Sequence, residues 1–183
     1  MIIYSNPFRS DKNIGKANND FIECLNVPLD TWIVIQDGDI TYLTDDWGKR
    51  IEDSLALDGD KFGLIGCKTN RIRGRHQLHD HTFSSDFDVK KHHKIAIEEY
   101  NEIGIEPINR DEVIAGYLMA FTKRTWLKVG GFTEKTPSAD AIFNEKVRNL
   151  GKQIGQFKNL YVFHCYRLWS DNPFTETKHL KAP

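Results

Sequence analysis

Two aspartates separated by one glycine form the motif best suited to chemistry in this chain. Asp37, Gly38 and Asp39 follow residues 32–36, whose apolar and β-branched side chains predict a buried strand. Two neighbouring carboxylates repel each other, and a hard divalent cation such as Mg²⁺ or Mn²⁺ removes that repulsion by taking both as oxygen ligands. Asp-Gly is also a common turn dipeptide, so an ordinary turn is the alternative interpretation.

A second polar cluster lies between residues 68 and 93 and combines basic side chains with imidazoles. Residues 68–87 of this region predict a long polar loop, of the kind that often serves as a lid or an acceptor-binding segment. Its cations predict either a loop over a diphosphate or an exposed loop balanced by nearby aspartates. Its His-x-x-His-x-His pattern, with Cys67 nearby, predicts either a zinc site or a mobile polar loop. The cations are Lys68, Arg71, Arg73 and Arg75, and five of the seven histidines are His76, His79, His81, His92 and His93.

These residues need a scaffold, and the sequence alternates strand and helix signals over its first two-thirds. Alternation at this spacing predicts an α/β fold with a mostly parallel central sheet. In such sheets ligands bind at the carboxyl ends of the strands, which is where Asp37 and Asp39 lie. The predicted strands are residues 2–4, 32–36, 62–66, 113–121 and 160–163, and the predicted helices are residues 13–25, 88–100, 138–151 and one that begins at a Thr44 cap.

The composition excludes several classes of protein. The chain has 183 residues with 25 Lys and Arg against 26 Asp and Glu, a net charge of -1, so it lacks the basic surface that holds nucleic acid by counterion release. Its 39% of hydrophobic residues is enough for one core, and we expect a single domain over residues 1–183. No apolar run is long enough to span a membrane, and residues 1–7 lack the features of a signal peptide. The odd, unpaired cysteines predict reduced thiols and a cytoplasmic location: Cys24, Cys67 and Cys165.

Several segments, in matching order, resemble the GT-A glycosyltransferases, especially those of family 2. Asp37-Gly38-Asp39 is similar to their Asp-x-Asp motif, and residues 13–19 resemble the Asn-x-Gly…Asn helix that precedes it. Residues 116–121 and 126–132 resemble the acceptor-side signature with its Gly-Gly-Phe, and residues 160–164 resemble the final strand that ends in a metal-binding histidine. Thr69-Asn70-Arg71-Ile72 and His164-Cys165-Tyr166-Arg167 look like a small subgroup of phage and bacterial sequences.

The resemblance implies a fold and an activity. The fold is a single GT-A-like, Rossmann-like domain with a mostly parallel, mixed central sheet flanked by helices and shortened at its N-terminus by one βα unit. The implied activity is transfer of a sugar from a nucleoside-diphosphate sugar to a hydroxyl acceptor, with Mn²⁺ or Mg²⁺ as cofactor. The resemblance leads us to expect inversion at the anomeric carbon. UDP- and GDP-sugars are the expected donors, and a glycan, a lipid-linked sugar or another hydroxyl compound is the expected acceptor.

The same resemblance implies roles for individual residues. Asp37, Asp39 and His164 would hold the metal, and Asp140 would be the general base. An acid in the first turn of a helix, stabilised by the helix dipole after a Ser138 cap, is the alternative for Asp140. The family has a Glu where this chain has Ala139, and Asp11 is the only nearby acid that could replace the family's base-reading aspartate. The residues expected to bind the donor are Asn6, Asp11, Lys16, Asn19, Asp37, Arg71 and Gly116.

Two other functions remain open from the sequence. A nucleotidyltransferase on a similar sheet is the first, although residues 5–9 lack the Gly-rich phosphate loop that such enzymes usually carry after the first strand. A non-catalytic module that binds zinc or a partner through the histidine-rich region is the second. Elemental analysis and nucleotide binding distinguish these alternatives from a glycosyltransferase.

Overall fold

The computed structural model describes residues 1–166, which form seven β-strands and five α-helices. Arg167, part of one motif noted above, lies outside the described residues. The strands are β1 Ile2–Ser5, β2 Trp32–Gln36, β3 Ile40–Tyr42, β4 Phe62–Thr69, β5 Ile105–Pro107, β6 Leu118–Thr122 and β7 Gln153–His164. The helices are α1 Ile14–Cys24, α2 Trp47–Asp58, α3 Val89–Glu98, α4 Lys123–Val129 and α5 Ala139–Asn149.

The strands form one mixed, open sheet flanked by helices. Its order is β1-β2-β6-β4-β7-β3, and β5 pairs with β7. The α/β class is therefore confirmed. The predicted preponderance of parallel pairs is wrong for the ladders whose register the described residues give, because β1–β2 is parallel whereas β2–β6, β4–β6 and β3–β7 are antiparallel. Hydrophobic periodicity identifies strands but not their direction. It also does not reveal that β6 pairs with β2, which lies more than 80 residues earlier in the chain.

The chain divides into two compact units, each built from separate stretches. Among the described residues, unit 1 contains residues 1–38, 60–66 and 113–155, and unit 2 contains residues 39–59, 67–112 and 156–166. Unit 1 has an aromatic core in which the rings of Phe132 and Phe143 stack with centroids 4.2 Å apart and Phe121 packs against both. In unit 2, Leu43 and Ala96 pack with the rings of Tyr161 and Phe163.

Four of the five helices follow the predicted positions with small shifts at their ends, and α4 was not predicted. In α1 the Asn13 side chain caps the first turn by accepting from the Lys16 N–H at 3.2 Å. The helix predicted from Thr44 begins instead at Trp47 with Asp46 as its N-cap residue, so the predicted cap was wrong by two residues. Competing Thr and Asp side chains in one turn make such boundaries hard to predict from sequence.

The region predicted as a long polar loop is more ordered and more buried than its composition suggests. Strand β4 continues to Thr69, and two 3-10 turns follow at Arg75–Gln77 and His79–His81. Arg71, Gln77 and Leu78 are buried. The expectation of an exposed loop is therefore wrong for Arg71. Polar side chains here bond to main-chain carbonyls: Lys68 Nζ donates to that of His76 and Gln77 Nε2 donates to that of Cys67.

Candidate functional site

The turn after β2 contains Asp37, which lies at the end of the first stretch of unit 1, residues 1–38. Its N–H donates to the Tyr117 carbonyl at 2.9 Å. The Asn6 amide spans the turn: oriented to suit both neighbours, its Nδ2 donates to the Gln36 carbonyl at 3.1 Å and its Oδ1 accepts from the Gly38 N–H at 3.3 Å. A Cβ on Gly38 would lie 2.8 Å from this amide, so any larger residue there would have to displace the Asn6 side chain. Asn6 therefore shapes the Asp-Gly-Asp turn, and its contact with a donor stays a prediction.

Asp39 begins unit 2 and lies beside His164. Ile40 at the start of β3 pairs with His164 at the end of β7, and the Cys165 N–H donates to the Asp39 carbonyl at 2.9 Å. These main-chain contacts bring Asp39 Oδ1 to 3.3 Å from His164 Nε2. The His164 side chain is only 2% exposed whereas that of Asp39 is 48% exposed. A ligand from solvent therefore meets the carboxylate first.

The two ring nitrogens of His164 have different surroundings. Nδ1 lies 2.9 Å from the Arg71 carbonyl, which can only accept, so Nδ1 carries a hydrogen and donates it. This contact leaves Nε2 facing Asp39. The His164 hydrogen bond holds the pKa of the Asp39 carboxyl below its usual value, and burial of the carboxyl opposes that shift. That hydrogen bond needs a hydrogen on Nε2, so it belongs to the ring with both nitrogens protonated. In the neutral ring, where Nδ1 keeps the hydrogen, Nε2 instead presents its lone pair to a cation, the arrangement usual for a metal-binding histidine.

Asn70 fixes the main chain of His164. Its Oδ1 accepts from the His164 N–H at 2.7 Å and from the Thr69 hydroxyl at 3.1 Å. The Asn70 side chain is almost fully buried. No role was predicted for this residue from sequence, although the Thr69-Asn70-Arg71-Ile72 segment, in which it precedes a candidate arginine, was an available signal. Asn70 and the Arg71 carbonyl together set the position and orientation of the imidazole.

The Arg71 side chain is buried among carbonyls and aromatic rings. Its Nε donates to the Tyr166 carbonyl at 3.0 Å, and its guanidinium carbon lies 4.5 Å from the centroid of Phe83 and 5.6 Å from that of Phe87. Burial lowers the pKa of this guanidinium from its usual value, although arginine stays charged. These contacts give Arg71 a structural role, and the predicted contact with a diphosphate stays a prediction.

Asp140 lies in the first turn of α5, in unit 1. Its Oδ2 accepts from the Gly116 N–H at 3.1 Å and its Oδ1 accepts from the Ala141 N–H at 2.8 Å. Ser138 occupies the N-cap position but makes no capping hydrogen bond with its side chain. Two N–H donors thus hold the carboxylate, and each oxygen keeps a further lone pair for a proton. The structure brings Gly116 and Asp140 together, and the role of Asp140 as base stays a prediction.

The other predicted donor-binding residues surround α1 in unit 1. Asp11 pairs with Arg9 and accepts from the Asn13 N–H, whereas Lys16 pairs with Asp20 at 2.8 Å. Hydrogen bonding to Arg9 lowers the pKa of Asp11, and hydrogen bonding to Asp20 raises that of Lys16. The charged groups of Asp11 and Lys16 are therefore engaged locally in this structure.

Asn19 uses its amide to hold the segment around Gly130 and Gly131. Its Oδ1 accepts from the Phe132 N–H at 2.9 Å and from Trp126 Nε1 at 3.1 Å, and its Nδ2 donates to the Phe132 carbonyl at 3.0 Å. A Cβ on Gly131 would come within 2.7 Å of Asn19 Oδ1. The asparagine and the Gly-Gly-Phe segment thus form one structural unit. The predicted contact of Asn19 with a nucleotide stays a prediction.

The histidine-rich region contributes separate groups of side chains. His92 is buried, with Nδ1 2.7 Å from the Tyr161 hydroxyl and Nε2 2.9 Å from the Asp86 carbonyl. Among the described residues, the candidate metal-ligand group in this region joins His79 to Asp80 and Glu99 instead of to His76 or His81. Glu99 lies nineteen positions after Asp80, so the short spacings typical of metal-ligand motifs do not identify it from sequence.

The chain matches no protein-family model, and no curated protein aligns with it significantly. Within residues 1–166, the structure has no helix that is both long and apolar enough to cross a membrane. The assignment of function therefore depends on the residues described above.

Proposed function

We propose that this chain is a metal-dependent glycosyltransferase that moves a sugar from a nucleoside-diphosphate sugar to a hydroxyl acceptor. The resemblance of its motifs to the GT-A glycosyltransferases motivates the proposal. The single observation that carries it is the pairing of Asp39 with His164, in which the Arg71 carbonyl holds one ring nitrogen while the other faces the carboxylate at 3.3 Å.

The donor set fits a divalent cation. Carboxylate oxygens suit Mg²⁺ and Mn²⁺, whereas an imidazole nitrogen suits transition metals better, so the mixed set favours Mn²⁺ over Mg²⁺. Asp39 and His164 would hold the ion, and Asp37, two residues before Asp39 in the chain, is the third ligand predicted from sequence. When bound, the metal supplies positive charge that stabilises the departing diphosphate.

The proposed reaction balances without a further reactant. The acceptor oxygen forms a bond to the anomeric carbon, and the bond from that carbon to the diphosphate oxygen breaks. The nucleoside diphosphate leaves with the electron pair, and Asp140 takes the proton of the acceptor hydroxyl. The Gly116 and Ala141 N–H groups hold the Asp140 carboxylate in one orientation, so less freedom is lost when it meets the proton.

A thermal-shift panel tests the proposal. UDP-, GDP-, CDP- and dTDP-sugars are each added with and without Mn²⁺, because a ligand that binds the native state raises the melting temperature by mass action. We expect at least one donor to raise Tm only when Mn²⁺ is present. Asp39→Ala removes a proposed metal ligand and should abolish that shift.

Asp45→Ala is the matched control, since it removes an exposed carboxylate six residues further along the chain. It should keep the Mn²⁺-dependent shift. The proposal fails if the wild-type protein responds to none of the donors, or if Asp39→Ala responds as the wild type does.

A further inference from the structure

A second group of candidate ligands lies in unit 2 and plays no part in the proposed transfer. His79 begins the 3-10 turn His79–His81, and Glu99 is the C-cap residue of α3. His79 Nε2 lies 3.4 Å from Asp80 Oδ2 and 3.8 Å from Glu99 Oε1. We propose that His79, Asp80 and Glu99 form a Zn²⁺ site that is independent of Asp39.

The ring orientation of His79 supports this assignment. Nδ1 lies 3.1 Å from the Tyr100 hydroxyl. Burial raises the pKa of Tyr100, so its hydroxyl stays protonated at neutral pH and its oxygen can accept from Nδ1–H. Nε2 then presents a lone pair toward two carboxylates. The Tyr100 hydroxyl can also donate to Nδ1, and Nε2–H then faces the carboxylates. A bound cation selects the first of these tautomers, in which the imidazole lone pair and two carboxylate oxygens face the ion.

The spacing of the ligand atoms suits zinc. Zn²⁺ holds nitrogen and carboxylate ligands at about 2.0–2.2 Å in tetrahedral geometry, which places neighbouring ligand atoms roughly 3.3 Å apart. The observed separations of 3.4 and 3.8 Å require small side-chain movements, and all three ligand atoms lie within 4.8 Å of one another. Three protein ligands leave a fourth position for water, and Asp80 and Glu99 are exposed enough to admit the ion.

Titration calorimetry with Zn²⁺ tests the site in the Asp39→Ala variant, in which the other candidate metal site is disabled. We expect one Zn²⁺ to bind per chain. Glu99→Gln should weaken Zn²⁺ binding by at least about tenfold, because mutation of a group that merely hydrogen-bonds to a metal ligand already lowers metal affinity by that factor. Glu98→Gln is the matched control: Glu98 is exposed, its ion pair is to Lys94, and its loss should leave Zn²⁺ affinity unchanged.

Cobalt supplies a second readout, because Co²⁺ in place of zinc has a visible absorption spectrum that reports tetrahedral coordination. Asp80→Asn should reduce that absorption. Asparagine tolerates the left-handed conformation of this residue, φ 49°, so the variant removes charge without straining the backbone. Absence of Zn²⁺ binding to the Asp39→Ala variant, or equal binding by Glu99→Gln and Glu98→Gln, overturns the proposal. The glycosyltransferase proposal is untouched by either outcome, since its donor panel does not involve these residues.

Discussion

His164 is a buried side chain whose position and ring orientation are fixed by its neighbours. The Asn70 side chain holds its main-chain N–H and the Arg71 carbonyl holds its Nδ1, so the ring has little freedom left. Only Nε2 remains to interact with Asp39. A ligand that is already oriented loses less conformational entropy when a cation binds, and this preorganisation favours affinity.

The pairing of Asp39 with His164 predicts a pH dependence in the metal-free protein. The pKa of Asp39 is lowered, so its contribution to stability is present above the ordinary, unfolded-state pKa of 3.8 and is lost as pH falls through the lower folded-state value. A carbon-detected NMR titration should therefore place the Asp39 midpoint below 3.8, the ordinary value for this carboxyl.

His164→Gln tests the cause of that shift, because hydrogen bonding to His164 is its largest source. The Asp39 midpoint should rise in the variant, provided that its amide spectrum remains that of a folded protein. An Asp39 midpoint at or above 3.8 in the wild-type protein would contradict the prediction.

At the scale of elements, α1 lies so close to a neighbouring segment of unit 1 that one position excludes any side chain. A Cβ on Gly15 would lie 2.3 Å from the Thr133 carbonyl oxygen. Backbone cannot yield as the tip of a flexible side chain can. The glycine in Asn13-Ile14-Gly15 therefore has a packing reason in this structure, and that reason requires no bound nucleotide.

Gly15→Ala should lower the free energy of unfolding. Replacing glycine with alanine inside a helix stabilises it by roughly 0.5–1 kcal/mol, whereas overpacking costs about 1–3 kcal/mol. The net effect should therefore be destabilising. Urea denaturation measures the difference. Glu23→Ala, at an exposed position of the same helix, should change stability by less than about 0.5 kcal/mol. A Gly15→Ala protein more stable than the wild type would show that α1 does not pack this closely.

At the scale of the whole molecule, neither unit is a continuous piece of chain. Six stretches alternate between the two units, so the chain passes from one to the other five times. A fragment that ends at residue 112 lacks β6, which pairs with five residues of β2 in unit 1. Its loss would expose the otherwise buried Ile33, Val34 and Ile35.

We therefore expect the fragment of residues 1–112 to have no cooperative urea transition, as followed by far-UV circular dichroism. The full chain under the same conditions supplies the control and should unfold cooperatively. A sharp transition in the fragment, with native helix content, would contradict the view that residues 113–155 complete unit 1.

Local patterns predicted much of this structure, and distant partners account for what they missed. Strand β2 matches its prediction because its run of β-branched residues is unambiguous, and α1 lies within one residue of its predicted ends. The pairing of β6 between β2 and β4 depends on residues far apart in sequence, which periodicity does not reveal. The same limit applies to the candidate sites: Asp39 and His164 were predicted through a family resemblance, whereas Asn70 and Glu99 acquire their roles only through contacts with distant residues.

The alternation of the two units has a consequence during protein synthesis. Unit 1 is incomplete until residue 155 has left the ribosome, and unit 2 needs residues beyond it. A domain made of one continuous segment can fold while later segments are still being translated. Here His164 emerges after most of both units has been made. The nascent chain consequently contains Asp37 and Asp39 long before their proposed partner His164 is made. A metal held jointly by these residues, as proposed above, would bind only after nearly all of the described chain had been translated.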